Sequence, residues 1–204
     1  MNPSRAIKQL EALIAHGNNE ERLAAQHWNE EWQTLMAILL SARARDDVTI
    51  PVAQNLFDHY TTLKKIANAS QEQIEKAIGS INFFRNKAKN IRGCAETLLK
   101  EFNGKVPHDI EQMIILPGVG RKTANVFMSE HEYEAIGVDT HVARVSYKLG
   151  WTSHRENAII IEKELKNLFP KDKWSLVNNT LVRFGRNNRG KKEDIILDDI
   201  KRIV

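Results

Sequence analysis

The stretch that decides the fold of this chain is Leu116-Pro117-Gly118-Val119-Gly120-Arg121-Lys122-Thr123-Ala124. Helix-like apolar sequence precedes it over residues 109–115 and follows it over residues 123–128. The proline cannot extend the first helix, and the two glycines permit a tight turn with positive φ. The pattern therefore predicts a helix, a glycine hairpin and a second helix, together spanning about residues 109–130.

The predicted hairpin is also a candidate site for an anion. A turn built on glycines has no side chains in the way, so its N–H groups can approach a bulky anion closely. The unpaired N–H groups and the dipole at the start of the second helix favour negative charge at the same place. A nucleic-acid phosphate fits this description. The alternative is an ordinary pair of helices joined by a Pro/Gly turn.

Length and composition are ordinary for a globular protein. The chain has 204 residues, enough for one large domain or two small ones, and 42% of them are hydrophobic. The net charge of +4 is compatible with a nucleic-acid partner without requiring one. The single cysteine, Cys94, excludes a disulfide within the chain and an all-cysteine metal site.

The sequence shows no signal for export or membrane insertion. The N-terminal residues are charged and lack the long apolar run of a signal peptide. No segment reaches the roughly 20 apolar residues that span a bilayer. We therefore expect no membrane association, and a cytoplasmic, nucleoid-associated protein if the source is a prokaryote.

Apolar residues recur at helical spacing along most of the chain. Since there is no convincing alternating strand pattern and no internal repeat, we predict an all-α fold of about ten helices. Gly185 and Gly190 are expected to interrupt the pattern near the C-terminus. Outside the hairpin, the predicted helices are 3–15, 32–40, 46–60, 61–69, 71–78, 88–102, 142–149, 156–169, 174–184 and 194–200.

Cations and aromatic residues follow two of these helices. Arg43 and Arg45 come after the apolar helix 32–40, where they are either solvated cations or contacts to DNA. Phe83 and Phe84 precede four cations in the range 85–92. Aromatics in a loop can stack on bases or wedge between them, and cations can hold the backbone. We expect one of the two phenylalanines to lie in the core.

Two residues could carry chemistry, Lys122 and Asp139. Each is predicted at the start of a helix, and we expect both starts to face one groove. The helix dipole, burial and the neighbouring Arg121 disfavour a charged ammonium, and the dipole favours an ionised carboxylate. An uncharged amine beside a carboxylate suits attack on C1′ of a deoxyribose. The ordinary alternatives are a solvated lysine and a capping pair, Asp139-Thr140.

Other kinds of site have little support. A lone histidine near a helix start, such as His141, is more often a hydrogen-bonded core residue than a catalyst. One cysteine and scattered histidines give no zinc spacing, so we expect no bound metal. Gly118-Val119-Gly120 with the following Arg-Lys-Thr superficially resembles a P-loop, but no strand precedes it and the glycine spacing is wrong.

At these residues the chain closely resembles the endonuclease III family, DNA glycosylase/AP lyases of the helix–hairpin–helix superfamily. The blocks occur in the family's order and spacing, from about residue 30 to 186. The hairpin block and the Asp139 block together are highly specific, whereas helix–hairpin–helix alone is not. The matching blocks are Leu39-Leu40-Ser41-Ala42, Lys87-Ala88, residues 116–126, Val138-Asp139-Thr140-His141 and Phe184-Gly185-Arg186.

The resemblance implies two helical domains with a DNA-binding cleft between them. The central domain would be 24–134, and the second would combine 1–23 with 135–204. Lys122 would be the Schiff-base nucleophile and Asp139 the assisting carboxylate, with the hairpin gripping phosphate beside a flipped nucleotide. The residues expected to meet DNA are Leu116, Gly118, Val119, Gly120, Arg121, Thr123, Arg43, Phe83, His141 and Arg186.

The chain departs from the family pattern in three places. The family commonly ends in four cysteines that hold a [4Fe–4S] cluster, and residues 187–204 contain none, so no such cluster is expected. Cations in residues 183–192 could contact DNA instead. Arg43 stands where the family usually has glutamine, and Phe83 where it usually has leucine. Both changes put the preferred lesion and its opposite base in question.

The function that the resemblance implies is a bifunctional glycosylase/AP lyase of base excision repair. It would excise a damaged base, with an oxidised pyrimidine as the expected substrate, and cleave the abasic site by β-elimination. Its partner would be double-stranded DNA with a damaged base or an abasic site, bound by a monomer. The alternatives are a monofunctional glycosylase for uracil or thymine opposite guanine, and a non-catalytic structure-specific DNA-binding protein.

Overall fold

The computed structural model describes residues 2–17, 22–131, 133 and 135–204. Throughout these residues the regular secondary structure is helical, without a strand, which confirms the all-α prediction. The chain divides into two compact units, Arg22–Phe127 and Met1–Glu21 with Met128–Val204. The predicted domain limits of 24 and 134 stay a prediction. In the described part of the chain, no helix is long and apolar enough to cross a membrane.

The described residues form twelve α-helices and one short 3₁₀ turn at Lys171–Lys173. The helices are α1 (Pro3–Ile14), α2 (Glu31–Ser41), α3 (Asp46–His59), α4 (Leu63–Asn68), α5 (Gln71–Ala77), α6 (Phe84–Glu101), α7 (Ile110–Met113), α8 (Arg121–Glu130), α9 (Thr140–Leu149), α10 (Ala158–Leu168), α11 (Trp174–Asn187) and α12 (Lys191–Lys201).

The unit Arg22–Phe127 is built around α2 and α6. Helix α2 is buried at nearly every position from Trp32 to Leu40, as its almost wholly apolar sequence predicts. Helix α6 is longer and one-sided, and the buried residues at steps of three and four include Ala88, Ile91 and Leu98. Burying a side chain such as Ile91 stabilises the fold by about 1.5–3 kcal/mol.

The second unit packs α1 and α9 to α12 around a separate core. Fully buried members of this core include Leu10, Val142 and Phe184. The indole Nε1 of Trp151 donates to the buried Oε1 of Gln9 at 2.7 Å, so the one polar group of that large ring is satisfied.

Two local expectations are wrong. Helix α7 ends at Met113, whereas the apolar pattern predicts helix to residue 115; Ile115 is instead exposed. Helix α11 runs through Gly185 to Asn187 rather than ending at residue 184. A Cβ on Gly185 would lie 2.9 Å from Cβ of His141, so this glycine permits close packing and does not interrupt the helix. Gly190 does precede α12, with φ +59°.

Candidate nucleic-acid site

The hairpin between α7 and α8 has the predicted tight turn. The amide of Val119 donates to the carbonyl of Leu116 at 3.0 Å, and Gly118 has φ +81°. A positive φ was expected at both glycines, but Gly120 does not have one, so only Gly118 has the expected backbone conformation. The side chains of Leu116 and Val119 are buried. Their contact with a ligand is therefore limited to backbone groups.

The start of α8 presents a set of backbone donors. The first hydrogen bond of this helix joins the amide of Ala124 to the carbonyl of Gly120 at 3.0 Å. The N–H groups of Lys122 and Thr123 come before that bond, in the first turn, where the helix itself supplies no acceptor. Together with the dipole of a ten-residue helix, they favour an anion at this point.

Helix α6 fixes the position of the hairpin. A Cβ on Gly93 would lie 3.2 Å from the ring of Pro117, and a Cβ on Gly118 would lie 2.8 Å from the side chain of Asn90. The two backbones can approach this closely only because both positions are glycine. Sequence reasoning missed Asn90 and Gly93; a glycine inside a helical pattern was the available signal.

Lys122 is the second residue of α8, as predicted, and its side chain is exposed. The expectation that Lys122 is buried is therefore wrong, because Ala124 and Phe127 occupy the buried face of the helix. The neighbouring Arg121 also reaches solvent and donates to Oε1 of Glu111 at 3.3 Å.

Asp139 is the N-cap of α9, in the second unit. Its Oδ1 accepts hydrogen bonds from the amides of His141 at 2.9 Å and Val142 at 2.8 Å. Among the described residues no hydrogen bond to Oδ2 is seen. Asp139 therefore caps α9, and this leaves its second oxygen available for a positively charged group.

His141 and Arg186 lie further along this unit. His141 is half-buried, and burial lowers its pKa; Asp139 opposes this shift, and Arg144 adds to it. The neutral imidazole is thereby favoured, in keeping with a packed histidine rather than a cationic one. Arg186 is half-buried in the last turn of α11.

Arg43 and Phe83 are both exposed and lie together. The guanidinium of Arg43 stands 5.6 Å from the ring centroid of Phe83, within cation–π range. Phe83 is 56% exposed, and Phe84 is half-buried as the first residue of α6. The expectation that one of the two phenylalanines lies in the core is therefore wrong.

Lys87, predicted among the cations available to DNA, is instead buried. Its Nζ donates to the carbonyl of Leu40, near the C-terminal end of α2, at 2.7 Å. Burial lowers the pKa of this ammonium, and the carbonyl supplies the hydrogen bond that burial requires. Lys87 therefore links α6 to the end of α2 through a buried hydrogen bond.

The single cysteine of the chain does not fit an iron–sulfur cluster. Burial inside α6 raises the pKa of Cys94 to about 12, so its thiol is not disposed to act as a metal ligand. A [4Fe–4S] cluster needs four thiolates, and the chain has one cysteine. Within the described ranges, no group of three or more His, Cys, Asp or Glu residues could hold a metal ion.

The comparisons with known proteins agree with this geometry. Residues 36–171 match the HhH-GPD superfamily base excision DNA repair protein family. The chain is 38% identical over 156 residues to endonuclease III of Bacillus subtilis (strain 168), covering 76% of this chain and 71% of the relative. It is 40% identical over 157 residues to endonuclease III of Synechocystis sp., covering 76% and 71%.

Solved structures show the same likeness. A trapped endonuclease III–DNA covalent intermediate, described as an estranged-adenine complex, has a TM-score of 0.83 at 33% identity, covering 94% of this chain and 90% of that chain. A thermostable thymine-DNA glycosylase, at 20% identity and TM-score 0.76, shares the fold and covers 88% and 87%.

An all-helical chain with this hairpin and this match is a base excision repair protein of the HhH-GPD superfamily. Within that superfamily the chain belongs to the endonuclease III family. It is accordingly an enzyme with DNA glycosylase and AP lyase activities.

Proposed function

We propose that the enzyme excises oxidised pyrimidines from double-stranded DNA and cleaves the resulting abasic site through a Schiff base on Lys122. The observation that carries this proposal is the position of the lysine. Its amine follows directly on the hairpin and the N-terminal end of α8, so a phosphate held there brings a nucleotide next to Lys122. A flipped nucleotide is the form in which its sugar becomes accessible.

The reaction uses a neutral amine. Nζ of Lys122, having lost a proton, bonds to C1′ as the C1′–N bond to the damaged base breaks, and the base leaves with the bonding electrons and takes up a proton. Opening of the C1′–O4′ bond then gives the iminium. Loss of a proton from C2′ expels the 3′ phosphate, and water releases the lysine from the remaining aldehyde.

Asp139 supplies the negative charge that this reaction needs beside the sugar. As an N-cap it lies at the positive end of the α9 dipole, and its Oδ1 accepts from two amides. The remaining oxygen can stabilise the positive charge that develops on the sugar as the base leaves. Lys122 is exposed in the free protein, so its amine is accessible to the sugar of a bound nucleotide.

The proposal extends to the oligomeric state and the cofactor. We infer a monomer that acts on double-stranded DNA without an iron–sulfur cluster, since one buried cysteine cannot ligate it. Size-exclusion chromatography with light scattering tests the monomer. Metal analysis of active protein tests the cofactor, and stoichiometric iron in the active fraction would contradict it.

Borohydride trapping tests the nucleophile. Reduction during reaction with an abasic duplex should join wild-type protein to DNA covalently. Lys122→Ala and Lys122→Arg should form no adduct, and the arginine variant keeps the positive charge for phosphate binding. Lys64→Ala, at an exposed position on α4, is the matched control and should be trapped like wild type. An undiminished adduct in the Lys122 variants would refute the assignment.

A panel of single-lesion duplexes tests the substrate and the alternative. Thymine glycol, 5-hydroxycytosine, uracil and 8-oxoguanine should be compared under single-turnover conditions. Oxidised pyrimidines should be excised with strand cleavage and without added base or heat. Excision of uracil that yields breaks only after alkali would instead support the monofunctional mismatch glycosylase.

A further inference from the structure

Glu193 is a charged residue that the fold has removed from solvent. It lies in the first turn of α12, and its side chain is 1% exposed. Two cations of α9 contact it, Arg144 at 2.9 Å and Lys148 at 2.7 Å. Burying such a group costs desolvation energy, and apolar side chains of similar volume are often as stabilising as a buried ion pair. This favours a role for the carboxylate in orienting its partners.

Glu193 fixes the guanidinium of Arg144 in one orientation. Nε of Arg144 donates to both carboxylate oxygens at 3.2 Å, and Nη2 donates to Oε2 at 2.9 Å. The planar fork of a guanidinium matches a carboxylate, so the position of the acid sets the plane of the arginine. The ammonium of Lys148, which donates to Oε1 at 2.7 Å, is a point charge and has no plane to set.

The oriented guanidinium holds the ring of His141. Nη2 of Arg144 also donates to the carbonyl of Gly185 at 2.8 Å and lies 3.4 Å from Nδ1 of His141. A guanidinium has no acceptor, so Nδ1 is the acceptor in this contact. A Cβ on Gly185 would lie 2.9 Å from both Cβ and Nδ1 of His141, so α11 packs closely against the same side chain. His141 is therefore fixed from two helices.

The position of His141 in turn determines the position of Asp139. The backbone amide of His141 donates to Oδ1 of Asp139 at 2.9 Å, beside the amide of Val142 at 2.8 Å. Because the side chain of His141 is held, its amide cannot turn away from this oxygen. The two oxygens of a carboxylate share one plane, so the direction of Oδ2 is restricted as well.

We propose that Glu193 is a positioning residue for base excision, acting through Arg144 and His141 on the carboxylate of Asp139; this rests on the proposed function. Glu193 is enclosed and takes no direct part in the chemistry. It keeps Oδ2 of Asp139 at the place where positive charge develops on the sugar. Such stabilisation depends on preorganised geometry, and a displacement of about 1 Å can cost about 100-fold in rate.

The two activities of the enzyme depend differently on this positioning. Excision generates positive charge at C1′ as the base leaves, and this is the step that Asp139 serves. A preformed abasic site has no base to lose, so its cleavage needs Lys122 and not this carboxylate. Loss of positioning therefore slows excision and leaves cleavage of an abasic site at the wild-type rate. A loss of folded protein would instead reduce both rates by the same factor.

The test compares the two rates in one preparation under single-turnover conditions. Excision is measured on the duplex of the lesion panel that wild type excises fastest, and strand cleavage on an abasic duplex. Glu193→Gln should lower the ratio of the excision rate to the cleavage rate by about 10- to 100-fold, in the same direction as Asp139→Asn. Lys148→Met is the matched control, because it removes the other cation of Glu193 and leaves the contact between Arg144 and His141. Its ratio should equal that of wild type.

Arg144→Lys keeps the test decisive if Glu193→Gln does not fold. A lysine keeps a positive charge beside Glu193 but lacks the fork that also reaches Gly185 and His141. This variant should show the same lowered ratio, and adding Glu193→Gln to it should lower the ratio no further. An unchanged ratio in Arg144→Lys, or an equal fall of both rates in either variant, would overturn the inference. Borohydride adduct formation on an abasic duplex reports separately on Lys122 and the proposed function.

Discussion

Replacing Gly118 with alanine should destabilise the protein, because the hairpin has no room for a side chain there. The residue has φ +81°, and its added Cβ would lie 2.8 Å from both Cβ and Nδ2 of Asn90. The Cβ of Asn90 belongs to the rigid part of α6 and cannot rotate away. The variant must therefore distort either the turn or the contact between the hairpin and the helix.

The expected magnitude combines two effects. An alanine forced into the left-handed region costs about 1–2 kcal/mol. Overpacking a tight contact costs typically about 1–3 kcal/mol. The sum is about 2–5 kcal/mol in the free energy of unfolding. Gly120→Ala is the matched control, because no atom lies within 4 Å of its added Cβ and its φ is not positive. Its effect should lie within about 1 kcal/mol of zero.

Urea denaturation followed by circular dichroism measures both variants. A double-mutant cycle separates the two effects, because Asn90→Gly removes the contact and leaves the backbone strain. In that background Gly118→Ala should cost only about 1–2 kcal/mol. Equal stability of Gly118→Ala and Gly120→Ala would refute the argument, and so would an unchanged cost in the Asn90→Gly background.

Three other predictions concern the second unit. Asp139→Asn should keep the helix cap, with unfolding free energy within about 0.5 kcal/mol of wild type, and lower the excision rate by about 100-fold or more. Glu193→Gln should lower the unfolding free energy by about 3–5 kcal/mol, because the 1%-exposed carboxylate accepts from two cationic side chains. Hydrogen bonds to Asp194 and Glu193 raise the pKa of Lys148 above 10.5. Its stabilising effect is therefore complete below pH 10.5 and is lost as pH rises through the folded-state pKa. Above pH 10.5 the thermal midpoint of wild type should therefore fall more steeply with pH than the thermal midpoint of Lys148→Met. Lys163→Met, at an exposed position, is the control.

Each of these predictions has a clear contrary result. Full excision by Asp139→Asn would remove the carboxylate from the chemistry. Wild-type unfolding free energy in Glu193→Gln would show that the buried ion pair contributes nothing to α12. Parallel pH curves for wild type and Lys148→Met would show that the ammonium is not stabilised by its two acidic neighbours.

Features set by local chemistry could be predicted from the sequence. Ser70, with a glutamine three residues later, forms a capping box: it accepts from the amide of Gln73, and the side chain of Gln73 accepts from the amide of Ser70. The apolar stretch 32–40 forms a buried helix, and Pro117 with Gly118 turns the chain between α7 and α8. These outcomes depend on neighbours within a few residues, so pattern alone suffices.

Features set by tertiary packing could not be predicted in this way. Lys87 is buried because a carbonyl 47 positions earlier lies within reach of its long side chain. Gly185 stays helical because α11 packs closely against His141. Lys122 faces solvent because α8 turns other residues inward. In each case the deciding partner is distant in sequence, and no local pattern records it.

Helix α6 sets the distance between the hairpin and Phe83. Asn90 supports the hairpin, and Phe83 caps the same helix seven positions earlier, about 10 Å along its axis. That length corresponds to about three nucleotide steps of a DNA strand. A single inserted residue would turn one end of the helix by about 100° relative to the other. Substitutions can therefore change the side chains at the two ends without changing their spacing, whereas an insertion or deletion would change both the spacing and the orientation.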